Sequence, residues 1–275
     1  MQPWRNLRKL FGKEVVMAAH ASWIFRTAPY VVFTATVMAA SVVPALLVDT
    51  PLSLTADVIA LVALLALARF FLALAGMDIG TAFGGMGASR EMTFAALAEP
   101  AMLMSIFVLS LGAHSTNLTT MINHTLNSPF ALHPSLAFAM VAMLMIAVAE
   151  NGRIPIDNPG THLELTMIHE AMILEYSGRH LALMEWAAMV KLMLFATLIA
   201  DLFMPWGMTT DASLVGVAVA FALWIAKLAG LLLALAVIET SLAKLRLFEV
   251  PEYLSGAFVI AFLGLLSYYM LEVGA

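Results

Sequence analysis

Long apolar segments recur along the chain and limit what it can fold into. Seven of them, most close to 20 residues long, cover about 28–48, 54–75, 92–113, 135–150, 185–205, 213–235 and 255–273. A helix of roughly 20 apolar residues crosses the hydrocarbon core of a bilayer. The chain is 63% hydrophobic and 11% charged, whereas soluble domains are about 45–50% apolar and about 25% charged. The pattern predicts an all-α, multi-pass transmembrane bundle of about seven spans, forming a single membrane domain over 1–275.

The lysines and arginines between the spans are distributed asymmetrically. Loops near 49–53, 114–134 and 206–212 contain none. The N-terminal segment and the other loops carry Arg5, Arg8, Lys9, Lys13, Arg26, Arg90, Arg153, Arg179, Lys244 and Arg246. Because basic residues are retained on the cytoplasmic side, we expect an inner-membrane protein. Residues 1–27 form its basic cytoplasmic N-terminal segment, and its C-terminus faces the periplasm or exterior.

The remaining basic residues, Arg69, Lys191 and Lys227, fall inside predicted spans. A charge at the centre of a helix costs roughly 2.5–3.5 kcal/mol on insertion scales. We therefore expect a polar track through the bundle, with outward snorkelling of the lysines as the alternative. Carboxylates also lie in or near the edges of spans: Glu99, Glu150, Glu185, Asp201 and Glu239. For the last three we expect a position at the membrane interface.

The fourth loop, 151–184, is long and acidic. It begins with a proline-stiffened turn near Arg153 and Asp157, and a helix is predicted from about Thr161 to Tyr176, with Gly178 as its C-cap. Glu164 and Glu175 share one stripe of that helix. Two interpretations stay open: a buried acidic funnel that moves protons, or an amphipathic cytoplasmic helix on the membrane surface.

The second loop, 76–100, is rich in glycine, which favours a close-packed re-entrant segment over a phosphate-binding turn. The next helix is predicted to begin near Ser89 as its N-cap. His162 and His169 do not form an H-E-x-x-H zinc motif, and the chain has no cysteine for a Cys-ligated cluster. We expect no metal site, no catalytic residue and no nucleic-acid partner for this chain.

These two loops resemble those of the complex I membrane subunit 1 family. ENGRIPIDNP (150–159), followed by EYSG (175–178), looks like its fifth-to-sixth-helix loop. GMDIG (76–80), GASRE (87–91) and EP (99–100) are similar to its formate hydrogenlyase and membrane-bound [NiFe]-hydrogenase branch. The resemblance implies proton-transfer or coupling positions at Glu150, Arg153, Asp157, Glu164 and Glu175, beside the intramembrane Arg69, Lys191 and Lys227. It also implies module-docking or chamber positions at Asp78, Arg90, Glu91 and Glu99.

The resemblance further implies a non-catalytic subunit that anchors a hydrophilic redox module and transfers protons. Its partners would be hydrogenase-like large and small subunits, antiporter-like membrane subunits and membrane lipid. The [NiFe] centre and iron–sulfur clusters would lie on those partners, and quinone is a possible ligand.

Two departures from the family pattern are visible. Members usually begin with one more transmembrane helix, and this chain starts after the position of that helix, so we expect either a misassigned start codon or a shortened form. The segment 160–163 lacks the further glutamates of complex I proper, which favours the hydrogenase branch. The alternatives are the quinone-chamber subunit of NADH:quinone oxidoreductase and an independent secondary transporter. The lack of a strong internal repeat argues against the transporter.

Overall fold

The computed structural model describes residues 2–18, 20–48, 55–127, 133–157, 167–209 and 213–272. Within these ranges the chain is helical, and its only β-type contacts are two isolated bridges. The α-helices are α1 (Gln2–Phe11), α2 (Trp23–Val42), α3 (Val58–Asp78), α4 (Ala82–Ala113), α5 (Leu118–Asn127), α6 (Pro134–Glu150), α7 (His169–Ile173), α8 (Gly178–Phe203), α9 (Leu214–Ser241) and α10 (Val250–Ser267). A 3-10 turn (Leu247–Glu249) precedes α10, and a π-turn (Tyr268–Glu272) follows it.

A helix occupies each of the seven predicted spans, but the spans are confirmed only in part. Five helical segments are long and apolar enough to cross a membrane: Val58–Asp78, Ala82–Ala113, Gly178–Phe203, Leu214–Ser241 and Leu247–Leu271. The helix α6 has 17 residues, and α2 is not among the five. The all-helical membrane fold is therefore confirmed, and the count of seven spans is not.

The turn between α3 and α4 corrects the predicted start of the following helix. Thr81, not Ser89, is the N-cap, and its side chain accepts a hydrogen bond from Gly84 N–H. Gly80 adopts φ +72° in the turn. A Cβ on Gly84 would lie 2.2 Å from the backbone oxygen of Gly76. The glycines therefore let two helices cross in backbone contact, instead of forming a re-entrant loop.

The predicted amphipathic helix of the fourth loop is much shorter where it is described. Residues 158–166, which include Glu164, lie outside the described residues. The helix α7 buries Ala171, Met172 and Ile173, and a Cβ on Gly76 or Gly87 would lie 3.1 Å from Met172 Cγ. This part of the loop is therefore packed into the α3–α4 groove instead of lying solvated on the surface.

Gly178 is not the C-cap predicted for that helix. It begins α8 with φ +53°, and its Cα faces the Glu14 backbone so closely that a Cβ would lie 2.5 Å from the Glu14 oxygen.

Contacts between loops divide the connections into two sets. In one set, the N-terminal segment contacts both the α3–α4 turn and the α6–α8 connection. The α6–α8 connection in turn contacts the α9–α10 connection. The contacts of this set are Ser22 N to Asp78 Oδ2 (2.8 Å), Val16 N to Ser177 Oγ (2.8 Å) and Lys244 Nζ to Asp157 Oδ1 (2.9 Å). The other set includes Val48 N to Thr209 O (3.3 Å) and Val58 N to Thr116 O (3.1 Å). The basic connections therefore lie together, away from connections that carry no lysine or arginine.

The main core lies where α3, α4, α6, α8 and α10 meet, with α2 packed between α3 and α8. The helix α9 differs from the other long helices because Ala220 is its only fully buried residue. The apolar side chains that α9 exposes are compatible with contact to lipid.

A buried ion cluster as the candidate functional site

Arg69, on α3, is the centre of an intramembrane ion cluster. Its side chain is 5% exposed and contacts three carboxylates. Nη1 donates to Glu99 Oε1 at 2.5 Å, Nη2 donates to Glu150 Oε2, and Nε lies 3.5 Å from Glu91 Oε1. A guanidinium presents several donors in one plane, so a single side chain can bind carboxylates from separate helices.

Glu150, at the end of α6, joins this arginine to a second cation. Its side chain is 4% exposed, and Lys191 Nζ of α8 lies 2.9 Å from the same Oε2 that Arg69 contacts. A buried carboxylate is tolerated when it is paired and hydrogen-bonded. The two partners of Glu150 therefore allow an ionised carboxylate at this depth.

The helical period explains how α4 supplies two carboxylates. Glu91 and Glu99 are eight residues apart, which is just over two turns, so both side chains lie on one face. Arg69 contacts that face from α3, which the glycine contact two turns away holds close to α4. With every group ionised, the cluster of Arg69, Lys191, Glu91, Glu99 and Glu150 carries one negative charge in excess.

A cavity of about 100 Å³ adjoins the cluster. Its lining includes Arg69, Glu91, Glu150 and Lys191 of the cluster, together with Asp157 and His169. A water molecule needs only about 10–15 Å³ of such space and several polar partners. The cavity is therefore suited to a short chain of water molecules between the cluster and the turn that follows α6.

That turn is held by a second pair of ions. Asp157 is 4% exposed, its Oδ1 lies 2.9 Å from Lys244 Nζ, and its Oδ2 accepts a hydrogen bond from Ile168 N–H at 3.3 Å. Arg153 Nη1 lies 3.6 Å from Glu239 Oε1. Neither partner can be recognised from local sequence, because Lys244 and Glu239 lie more than 80 residues away along the chain.

Two of the predicted docking residues make contacts that hold loops in place. Asp78 accepts a hydrogen bond from Ser22 N–H at 2.8 Å, and Arg90 donates to Met167 O at 3.0 Å. The Tyr176 hydroxyl donates to Phe25 O at 2.9 Å. Burial raises the pKa of Tyr176, and the negative charge of Asp78 raises that pKa further.

The three remaining predicted site residues belong neither to the cluster nor to these loop contacts. Glu175 is exposed and makes no ion pair within the described chain. Lys227 lies half-buried on α9, apart from the other two intramembrane cations, and Glu164 is among the residues that are not described.

Asp201, which is predicted at the membrane interface, lies two residues before the end of α8, and its side chain is buried, with 1% exposure. Its position in the apolar run that precedes Pro205 was the one available signal.

Comparison with known proteins shows the family to which the chain belongs. The NADH dehydrogenase family matches residues 1–269. The chain is 32% identical to formate hydrogenlyase subunit 4 of Escherichia coli (strain K12), over 97% of this chain and 86% of that protein. It is 34% identical to hydrogenase-4 component C of the same strain, over 89% and 76%.

Among solved structures, the chain resembles one from the membrane-bound sulfane sulfur reductase, an archaeal respiratory membrane complex. The TM-score is 0.82 at 18% identity, covering 97% of this chain and 86% of the other, so this likeness concerns the fold. The matched family and the two bacterial relatives extend over most of the chain, which includes the helices that carry the ion cluster. This protein is therefore a member of the NADH dehydrogenase family, of the complex I subunit 1 type.

Proposed function

We propose that this chain is the membrane-anchor and proton-transfer subunit of a complex I-like oxidoreductase of the formate hydrogenlyase or [NiFe]-hydrogenase type. It couples electron transfer in a docked hydrophilic module to ion translocation. The observation that carries the proposal is the buried cluster with an excess carboxylate, beside a cavity of about 100 Å³ among apolar helices.

The excess carboxylate gives the cluster a way to hold one proton. Glu150 is bound by two cations, whereas Glu91 and Glu99 share Arg69 and are 19% and 32% exposed. Of the three carboxylates, Glu91 and Glu150 line the cavity from which a proton would arrive, and Arg69 contacts both of them. Neutralising one of them frees a donor of Arg69 and strengthens its bond to the remaining carboxylates, so the charge state of the cluster alters its geometry.

The turn after α6 connects this cluster to the loops on which a redox module would dock. Asp157 lines the same cavity and holds Lys244 and the backbone of Ile168. A displacement of that turn would therefore alter the cavity mouth and the end of α6 that carries Glu150. We infer that the module docks at this end, which carries the basic connections and is the cytoplasmic end by the positive-inside rule.

The proposed partners follow from this role. Hydrogenase-like large and small subunits would hold the [NiFe] centre and the iron–sulfur clusters, and antiporter-like subunits would continue the ion path. The cavity is several-fold smaller than the roughly 300–1,000 Å³ of small-molecule pockets, so among the described residues it suits water better than a quinone ring. Hydrogen evolution by the purified complex would support this assignment, and competition between a quinone-site inhibitor and the native acceptor would oppose it.

The test uses the assembled complex in inverted membrane vesicles, with electron transfer and proton uptake measured together. Glu150→Gln and Asp157→Asn are each expected to impair coupled turnover while the complex still assembles. In Glu150→Gln, Arg69 still contacts Glu91 and Glu99. In Asp157→Asn, the backbone of the turn is unchanged. Glu252→Gln is the matched control, since Glu252 is exposed and makes no ion pair within the described chain. Unchanged turnover and proton translocation in both Glu150→Gln and Asp157→Asn would refute the proposal.

A further inference from the structure

Asp201 is a buried acid that the ion cluster does not use. It lies near the end of α8 with 1% exposure, and neither carboxylate oxygen has a hydrogen-bond partner within the described chain. An ionised carboxylate with no partner is very costly in apolar surroundings, far more so than a neutral acid. Asp201 is therefore held most favourably in its protonated form.

Lys227 is the charged group that acts on Asp201 from the neighbouring helix α9. The two side chains are not within ion-pair distance, so the lysine influences the acid through space instead of neutralising it by contact. The position of α9 follows from Gly207, where a Cβ would lie 2.5 Å from Leu223 Cδ1. Lys227 is one helical turn beyond Leu223 on the same face.

This pair is separate from the Arg69 cluster. Asp201 follows Lys191 by ten residues of the same helix, which corresponds to about 15 Å along its axis. Trp224, three residues before Lys227, also has a buried ring nitrogen without a hydrogen-bond partner in the described part of the chain. Unpartnered polar groups in the interior are uncommon, and they concentrate where a protein changes protonation or binds an ion.

We propose that Asp201 and Lys227 form a second proton-exchange site at the contact between α8 and α9. Asp201 is the group that exchanges the proton: its carboxyl group releases a proton to water, which leaves a carboxylate that the Lys227 ammonium stabilises through space, and uptake of a proton from water restores the neutral acid. The site rests on the proposed function for its purpose, which is proton transfer. Its protonation can nevertheless be measured without any turnover.

The experiment is a pH titration of the protonated-carboxyl infrared band in the full complex, reconstituted in lipid. Asp201→Asn identifies the Asp201 component of that band. The expected result is an Asp201 carboxyl band at neutral pH that disappears under alkaline conditions. Lys227→Met should shift its disappearance upward by roughly one to two pH units, the effect of losing one nearby charge at an effective dielectric constant of about 20. Lys227→Arg, which keeps the charge, should leave it in place.

Labelling with dicyclohexylcarbodiimide gives an independent measurement, because this reagent adds to protonated carboxyl groups in apolar surroundings. Mass spectrometry should locate the adduct on Asp201 and not on Glu150, whose oxygen is bound by Arg69 and Lys191. An ionised Asp201 at neutral pH, or the same titration in Lys227→Met as in the unmodified chain, would overturn the proposal. Protection of Asp201 by sodium ions at constant pH would also overturn it, in favour of a cation site. Loss of coupling in Glu150→Gln tests the proposed function separately.

Discussion

Gly84→Ala should destabilise the protein, although alanine favours helices more than glycine does. A Cβ at Gly84 would lie 2.2 Å from Gly76 O, a backbone atom that no side-chain rotation can move. Ordinary van der Waals contact begins near 3.4 Å, so α3 and α4 would have to separate locally by more than an ångström. Overpacking of this kind costs typically about 1–3 kcal/mol, and we expect the upper part of that range.

Gly85 offers a matched control one residue away. A Cβ there would meet nothing within 4 Å. Gly85→Ala should therefore stabilise the protein by roughly 0.5–1 kcal/mol, because glycine loses more conformational freedom on folding. The same chemical change at neighbouring positions of α4 should thus have opposite signs, with a difference of about 2–4 kcal/mol between the two variants.

The effect should reach the ion cluster. Gly76 follows Arg69 by seven residues on α3, and Gly84 precedes Glu91 by seven on α4, so the crossing lies two turns from the Arg69–Glu91 pair on both helices. The assay is equilibrium unfolding in mixed micelles of dodecyl maltoside and dodecyl sulfate, followed by tryptophan fluorescence. Equal stability of Gly84→Ala and Gly85→Ala, or a Gly84→Ala variant at least as stable as the unmodified chain, would refute the close-crossing argument.

Two further predictions concern buried polar groups. Glu150→Gln and Lys191→Met should each lower the free energy of unfolding by at most about 3–5 kcal/mol. The double variant should lower it by about 1–3 kcal/mol less than the sum of the two single effects. Additive effects on the free energy of unfolding would contradict the pairing. Tyr176→Phe should cost about 1 kcal/mol, because Phe25 O loses its donor. Since the pKa of Tyr176 is raised by burial, the unfolding free energy should fall above about pH 10, where only the unfolded chain releases this proton. That decline should be smaller in Tyr176→Phe. Identical pH profiles of the unfolding free energy in Tyr176→Phe and in the unmodified chain would contradict the role of the Tyr176 hydroxyl.

Local sequence was sufficient for the features that depend on one helix at a time. Apolar runs predict membrane helices because each must satisfy its own backbone and present apolar side chains to lipid. The cost of an intramembrane charge likewise marked Arg69 and Lys191 as members of a polar track. The family motifs of the two loops marked Glu91, Glu99 and Glu150.

Helix ends were predicted less well, since they depend on contacts with other segments. Ser89 is a good N-cap by residue type, yet α4 begins at Ala82, because the glycine crossing extends the helix back to the turn. Gly178 reads as a C-cap, yet it begins α8, where the Glu14 backbone leaves no room for a side chain.

The sequence by itself therefore determined that this chain is a helical membrane protein of the complex I subunit 1 type, with charges inside its spans. Only the tertiary structure decided which charges meet. Arg69 and Lys191 join one cluster through Glu150, whereas Lys227 lies apart from them on α9. The physical reason is that hydropathy and helical period act within a single segment. Ion pairing depends on distances of a few ångströms between residues that are 22 to 87 positions apart, and helix packing alone sets those distances.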